Sequence, residues 1–180
     1  MSMHPTRNLF KEFPNPYFVE TGTYNGDAIQ LAIDAGFERI ISMDVDPKSR
    51  AYCIKRFKLA EWDNKLPGLR VVTADSAIDL RALIKNCEQP ITFWLDAHWL
   101  MWENTDPGPN PFPLIDELRQ IMSHPIKTHT IIIDDMRLMQ KDICGFDKEI
   151  ILEWLKKINI NYKFTFFANP MINDILVAHI

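Results

Sequence analysis

The sequence predicts an α/β protein: a doubly wound sheet of seven strands, mostly parallel, closed by an antiparallel C-terminal hairpin. Three observations predict it. Seven short apolar runs recur along the 180 residues, at 17–20, 39–44, 70–74, 91–95, 129–134, 162–167 and 174–180, with helical patterns between most of them. Several runs are apolar at consecutive positions, as expected of strands covered on both faces. The last two runs are separated by 168–173 alone. That is too short for a parallel crossover, so they pair antiparallel. At roughly 150 residues per domain, 1–180 reads as one domain with a short N-terminal helical extension over 1–15.

The elements follow in order. After YFVE at 17–20, Asn25-Gly26-Asp27 opens a helix whose Ile29, Ala32 and Ile33 share a face, and Gly36 caps its end. RIISMD at 39–44 leads into Asp46-Pro47, an N-cap followed by proline at the first helical position, with Cys53, Phe57 and Ala60 at helical spacing. RVVTA at 70–74 precedes Leu80, Leu83, Ile84 and Cys87, which keep the i, i+3, i+4, i+7 rule. ITFWL at 91–95 precedes the longest irregular stretch, 100–112, where four prolines (counting Pro113) and Gly108 predict a loop. This loop follows a strand's C-terminal end, where open α/β sheets bind ligands, so a substrate-side role is expected. Pro113 then starts a helix read as carrying Ile115, Leu118 and Met122 on its apolar face. HTIIID at 129–134 is followed by Ile151, Trp154, Leu155 and Ile158, again at helical spacing, before the closing hairpin.

Composition removes several function classes. Apolar residues make up 47% and charged residues 24%, which excludes disorder. Net charge is −4 and the pI is near 5.7, giving no support to a nucleic-acid or anionic-membrane partner. No run approaches the ~18 apolar residues of a membrane span, and the opening MSMHPTRNLFKEF has no apolar signal core. Three widely spaced cysteines, Cys53, Cys87 and Cys144, read as reduced thiols of a cytoplasmic protein.

Four constellations carry chemistry. In Glu20-Thr21-Gly22-Thr23-Tyr24-Asn25-Gly26, Gly22 permits a tight turn, and Gly26 is read as letting a ligand approach the helix start. Tyr24 stands where a dinucleotide fingerprint carries its middle glycine, which argues for a cofactor without phosphates. Glu20 is placed to accept from a cationic or amino group. Asp44, about 20 residues after the glycine turn, suits a ribose diol; the alternative is a helix cap, a role Asp46 fills better. Asp75-Ser76 either caps the next helix or meets an adenine edge. Asp96-Ala97-His98 and Asp134-Asp135 end adjacent strands over one crevice. Three converging carboxylates repel unless a cation sits among them, and all-oxygen ligands favour Mg²⁺, then Ca²⁺ or Mn²⁺. His98, two residues beyond Asp96, is a candidate base.

These residues resemble class I S-adenosylmethionine-dependent O-methyltransferases over nearly the whole chain. The ETGTYNG turn is similar to the glycine loop of metal-dependent catechol-type and sugar O-methyltransferases. The resemblance implies a Rossmann-like sheet of seven strands ending in an antiparallel hairpin. It also implies an aspartate after strand four and an Asp-Asp pair after strand five that hold Mg²⁺, matching Asp96, Asp134 and Asp135. The macrocin-type sugar enzymes carry D-G-D, whose second aspartate is a base; D-A-H here puts His98 at that position. Catechol-type enzymes have a lysine three residues beyond the first ligand, where this chain has Trp99.

The expected function is Mg²⁺-assisted methyl transfer from S-adenosylmethionine to a hydroxyl of a small molecule or sugar, in a possible homo-oligomer. Glu20, Thr21, Gly22, Thr23, Gly26, Asp44, Asp75 and Ser76 are expected to bind the cofactor. Asp96, Asp134 and Asp135 would hold the metal; His98 and Asp96 are the expected catalytic residues, with His98 taking the proton. Trp99, Met101, Trp102 and Phe112 would shape the acceptor pocket. The alternatives are a catalytically silent cofactor-binding or assembly subunit with the same fold and a nicotinamide-dependent oxidoreductase.

Overall fold

A computed structural model describes residues 5–59, 68–99, 106–168 and 173–180. Its elements are α1 (Pro5–Glu12), β1 (Tyr17–Thr21), α2 (Asp27–Ala35), β2 (Ile40–Asp44), α3 (Pro47–Arg56), β3 (Leu69–Thr73), α4 (Ser76–Ile84), β4 (Ile91–Leu95), α5 (Leu114–Ser123), β5 (Thr130–Ile133), α6 (Lys141–Cys144), α7 (Lys148–Ile158), β6 (Lys163–Phe167) and β7 (Ile175–His179). The strands form one seven-stranded sheet in the order β3-β2-β1-β4-β5-β7-β6. β1 pairs parallel with β2 and β4, β4 with β5 and β2 with β3, while β7 runs antiparallel to both β5 and β6. The expected architecture and its closing hairpin are both present.

Side-chain alternation along the strands divides the core into two layers. Phe18, Trp94, Ile132, Ile175 and Val177 face α1, α2 and α3. Val19, Phe93, Ile131, Ile133 and Leu176 face α4, α5 and α7. The N-terminal helix belongs to the first layer, since Phe10 is fully buried with its ring centroid 4.8 Å from Phe18 and 5.4 Å from Trp94. Asp46 caps α3 by accepting from the Lys48 amide at 2.8 Å, as the Asp-Pro pair predicts.

The buried face of α5 differs from its reading in the sequence. Leu114, Glu117, Leu118 and Ile121 are buried; of the expected set only Leu118 is, while Ile115 is half-buried and Met122 packs at the edge of the core. Both sets satisfy helical spacing, so periodicity alone does not separate them. The inward set brings a carboxylate into the core.

Among the described residues no helix is long and apolar enough to cross a membrane. Ala60, Met101 and Trp102, which the sequence reading used, lie outside the described residues, as does the first part of the 100–112 loop.

Candidate active site

The strand order changes direction between β1 and β4, and ligands of open α/β sheets bind at such a point, beyond the carboxyl ends of the strands. Backbone hydrogen bonds continue past the strands and fix those ends: Gly22 N to Met43 O at 2.9 Å, Asp96 N to Thr21 O at 3.1 Å, and Asp134 N to Leu95 O at 3.2 Å. Gly22 has φ +85°, and a Cβ there would lie 2.3 Å from the Asp96 carbonyl oxygen. It is glycine because the β1 and β4 tips pass backbone to backbone.

Around that turn, Asp44 reaches across from β2. Its Oδ2 accepts from the Tyr24 amide and its Oδ1 from the Asp46 amide, both at 2.8 Å. Each oxygen retains a second lone pair. Asp75 caps α4 by accepting from the Ala77 amide at 2.9 Å, and Ser76 follows it, buried.

Two of the residues expected to bind the cofactor are instead engaged with the protein itself. Glu20 points into the protein, where it is buried and accepts from the Ser42 hydroxyl at 2.5 Å; Thr23 meets that hydroxyl at 2.6 Å. Burial pushes the Glu20 carboxyl up to about 8, with Ser42 lowering it and the charges of Asp44 and Asp27 raising it. Gly26 makes room for α3 rather than for a ligand: a Cβ there would lie 2.8 Å from both Cys53 Sγ and the Phe57 ring.

Beyond β4 and β5 the carboxylates converge. His98 lies between two of them, with Nε2 2.7 Å from Asp135 Oδ2 and Nδ1 3.6 Å from Asp96 Oδ1. An ionised carboxylate only accepts, so the 2.7 Å contact puts a proton on Nε2 and leaves Nδ1 as the basic nitrogen. Asp96 is held well above the usual carboxylate range, first by burial and then by the charges of Asp134, Asp135 and Glu20. Asp135 ends lower than usual. Burial opposes this, but hydrogen bonding and charge from His98 and Arg137 outweigh it.

Sequence reasoning missed Arg137. Its guanidinium pairs with Asp135 Oδ1 and with Asp174 Oδ2, and Asp174 is fully buried just before β7. Asp135 itself has φ +54°, a left-handed conformation uncommon outside glycine, and its amide donates to Asp134 Oδ1 at 2.8 Å. The side chains therefore do not gather the expected oxygen trio. Donor atoms of Asp96, His98 and Asp135 lie within 4.8 Å of one another, so the compact group contains an imidazole in place of Asp134. The Arg137 guanidinium already neutralises Asp135 at Oδ1 and His98 holds Oδ2, and the guanidinium charge repels a second cation there, which fits a divalent cation poorly.

Sequence reasoning also missed Glu117, which the α5 face carries under the site at 1% exposure. Burial pushes it up to about 7, while the Ser76 and Thr21 hydroxyls and His98 act in the other direction. Its Oε1 has no hydrogen-bond partner among the described residues. A void of about 10 Å³, roughly one water, lies between Glu117 and His98 among Leu95, Ala97, Leu114 and Ile133. Phe112 lines this void rather than the larger cavity.

That larger cavity measures about 220 Å³. Gly22, Asp44, Asp75, Ser76, Asp96, His98, Asp134 and Asp135 line it; Glu20, Thr21, Thr23 and Gly26 do not. Trp99, Asp106, Pro107 and Asn110 close its far side, and the Trp99 amide donates to the Pro111 carbonyl at 2.9 Å across the base of the loop.

No family model matches the chain, and no curated protein does. Solved structures do match. A candidate rRNA methylase from Clostridium thermocellum is 18% identical with a TM-score of 0.66, covering 96% of this chain and 93% of its own. Human methyltransferase-like protein 13, in complex with S-adenosylhomocysteine, is 17% identical with a TM-score of 0.61, covering 98% of this chain and 77% of its own. A candidate caffeoyl-CoA O-methyltransferase from Staphylococcus aureus is 9% identical with a TM-score of 0.60, covering 96% of this chain and 79% of its own. At these identities the likeness establishes a shared fold.

Proposed function

We propose that this protein transfers a methyl group from S-adenosylmethionine to a hydroxyl of a small molecule or sugar, with His98 taking the hydroxyl proton. One observation carries the reading. A single cavity runs across the switch point from Asp44, at the end of β2, to the His98–Asp135 pair beyond β4 and β5. A carboxylate suited to a ribose diol and an oriented base therefore share one chamber. The fold likeness to a methyltransferase that holds S-adenosylhomocysteine supports the choice of cofactor.

When bound, S-adenosylmethionine supplies an electrophilic methyl group on a sulfonium. The chain's own residues do the rest. Gly22 lets the β1 turn lie flat at the cavity floor, Asp44 accepts from the ribose, and Asp75 and Ser76 bound the adenine side. Asp135 fixes the tautomer of His98 so that Nδ1 receives the acceptor proton, the logic of a base oriented by a carboxylate. Most of the acceleration comes from aligning acceptor oxygen and methyl carbon. The net charge of −4 and the acidic lining favour a small neutral or cationic acceptor over a nucleic acid.

Calorimetry with S-adenosylhomocysteine tests the reading. Wild type is expected to bind, and Asp44→Ala to bind at least about tenfold more weakly, since a hydrogen bond to a charged acceptor contributes about 1.5–3 kcal/mol. A melting curve controls for the loss of the Tyr24 and Asp46 amide contacts. Tight NADH binding without S-adenosylhomocysteine binding would replace this reading with the oxidoreductase. Binding without turnover on any hydroxyl acceptor would indicate the silent subunit.

A further inference from the structure

The structure assigns the resident cation of this acidic site to Arg137: anchored on buried Asp174, its guanidinium occupies Asp135, so that Asp135 is a positioning residue for His98 and not a metal ligand. The inference builds on the methyl-transfer reading above.

The tandem aspartates need a positive charge nearby. The chain supplies one from two residues further on. The left-handed turn at Asp135 and the 3-10 turn Met136–Leu138 fold Arg137 back over Asp135. Three contacts then lock the turn to the start of β7: Met136 N to Asp174 O at 2.8 Å, Arg137 N to Asp174 Oδ1 at 3.1 Å, and the guanidinium to Asp174 Oδ2. Asp174 is itself held by its own amide, which donates to Phe167 O at 2.8 Å. Asp174 is wholly buried, so removing Arg137 from it would strand a charge in the core. The arginine is therefore committed.

The consequence falls on Asp135. Its Oδ1 holds Arg137 and its Oδ2 holds His98. A divalent cation on Asp135 would sit against the guanidinium charge on Oδ1, and on Oδ2 it would compete with His98, the base. Activation of the acceptor hydroxyl then belongs to the His98–Asp135 pair, without a Lewis acid.

Mn²⁺ proton-relaxation titration of the full chain, with and without S-adenosylhomocysteine, tests this without any turnover assay. Wild type is expected to show no saturable site. The double variant Arg137→Gln/Asp174→Asn removes the cation together with its buried counter-charge, and its fold is checked by circular dichroism and melting. It is expected to gain a Mn²⁺ site about 10- to 100-fold tighter than any wild-type binding, the range by which surrounding groups tune metal affinity. Adding Asp135→Asn should abolish the gained site. A saturable wild-type site that Asp135→Asn removes would overturn the proposal, and so would a folded double variant with no gain. If the double variant does not fold, the wild-type titration alone decides. Failure of S-adenosylhomocysteine to bind would count against methyl transfer and leave the assignment of Arg137 intact.

Discussion

At the N-terminal ends of β4 and β5, His129 Nδ1 accepts from the Ile91 amide at 3.1 Å and Nε2 meets His124 Nδ1 at 3.1 Å. Asn15 bridges Thr92 and Thr130 beside them, at 3.1 and 3.3 Å. At the C-terminal ends of the same two strands, Asp96 and Asp135 flank His98 while Asp134 and Glu117 crowd in behind. Both ends bury polar groups against similar apolar walls. One end pairs imidazoles with backbone and with each other; the other brings carboxylates together and holds Asp96 well above the usual carboxylate range. Repulsion of that kind is retained at functional sites, and Asp96, Asp134 and Asp135 themselves line the 220 Å³ cavity at the acidic end.

The comparison breaks first on activity. His98→Gln should lower kcat by about 10²-fold or more, the ordinary loss of a general base, with S-adenosylhomocysteine affinity unchanged by calorimetry. His129→Asn at the far end should leave kcat within about twofold of wild type, because it lies outside the chamber. Equal losses in both variants would mean that the acidic end has no chemical privilege.

Stability sharpens it next. Gly22→Ala puts a methyl group against the Asp96 carbonyl at a φ of +85°. Urea unfolding should show a loss of more than about 2 kcal/mol. A loss under about 0.5 kcal/mol would show that the two strand tips are not in close register.

The third test is in pH, where the two ends should slope oppositely. Burial pushes Glu20 up to about 8 and Glu117 up to about 7, from an ordinary 4.5. Below pH 4.5 both states hold these protons. As pH rises toward 7–8 the unfolded chain releases protons that the fold retains, so stability falls. Burial, then the charges of His124 and Lys127, push His129 down to about 3 from 6.5. Its contribution is complete above pH 6.5 and is lost as pH drops toward 3. Melting curves should show Glu20→Gln and Glu117→Gln flattening the neutral limb, and His129→Asn flattening the acid limb. The same limb flattening in all three variants would refute the opposition.

Much of this was legible in the chain. The strands start and stop within a residue or two of their apolar runs, because consecutive apolar residues bounded by Gly, Pro and Asp leave few other structures. The closing hairpin followed from 168–173 being too short to cross the sheet. Asp46 announced itself by standing before Pro47. The site was legible where a strand tip alone determines position, as for Asp44, Asp96, His98 and Asp135. It failed where long-range packing decides. Glu117 was not singled out because the apolar face of α5 was placed on Ile115, Leu118 and Met122. Arg137 and Asp174 are 37 residues apart, and nothing local ties them. At Gly26 the glycine shows that something comes close, not what it is, and the structure puts Cys53 and Phe57 there.

The contact between Gly22 and the Asp96 backbone bears on how this chain could be re-engineered. Transplanting the acceptor loop of another protein onto β4 would carry a new path for residues 96–97, and the β1 turn has no slack to receive it. The two loops form a single exchangeable cassette, to be swapped together or not at all.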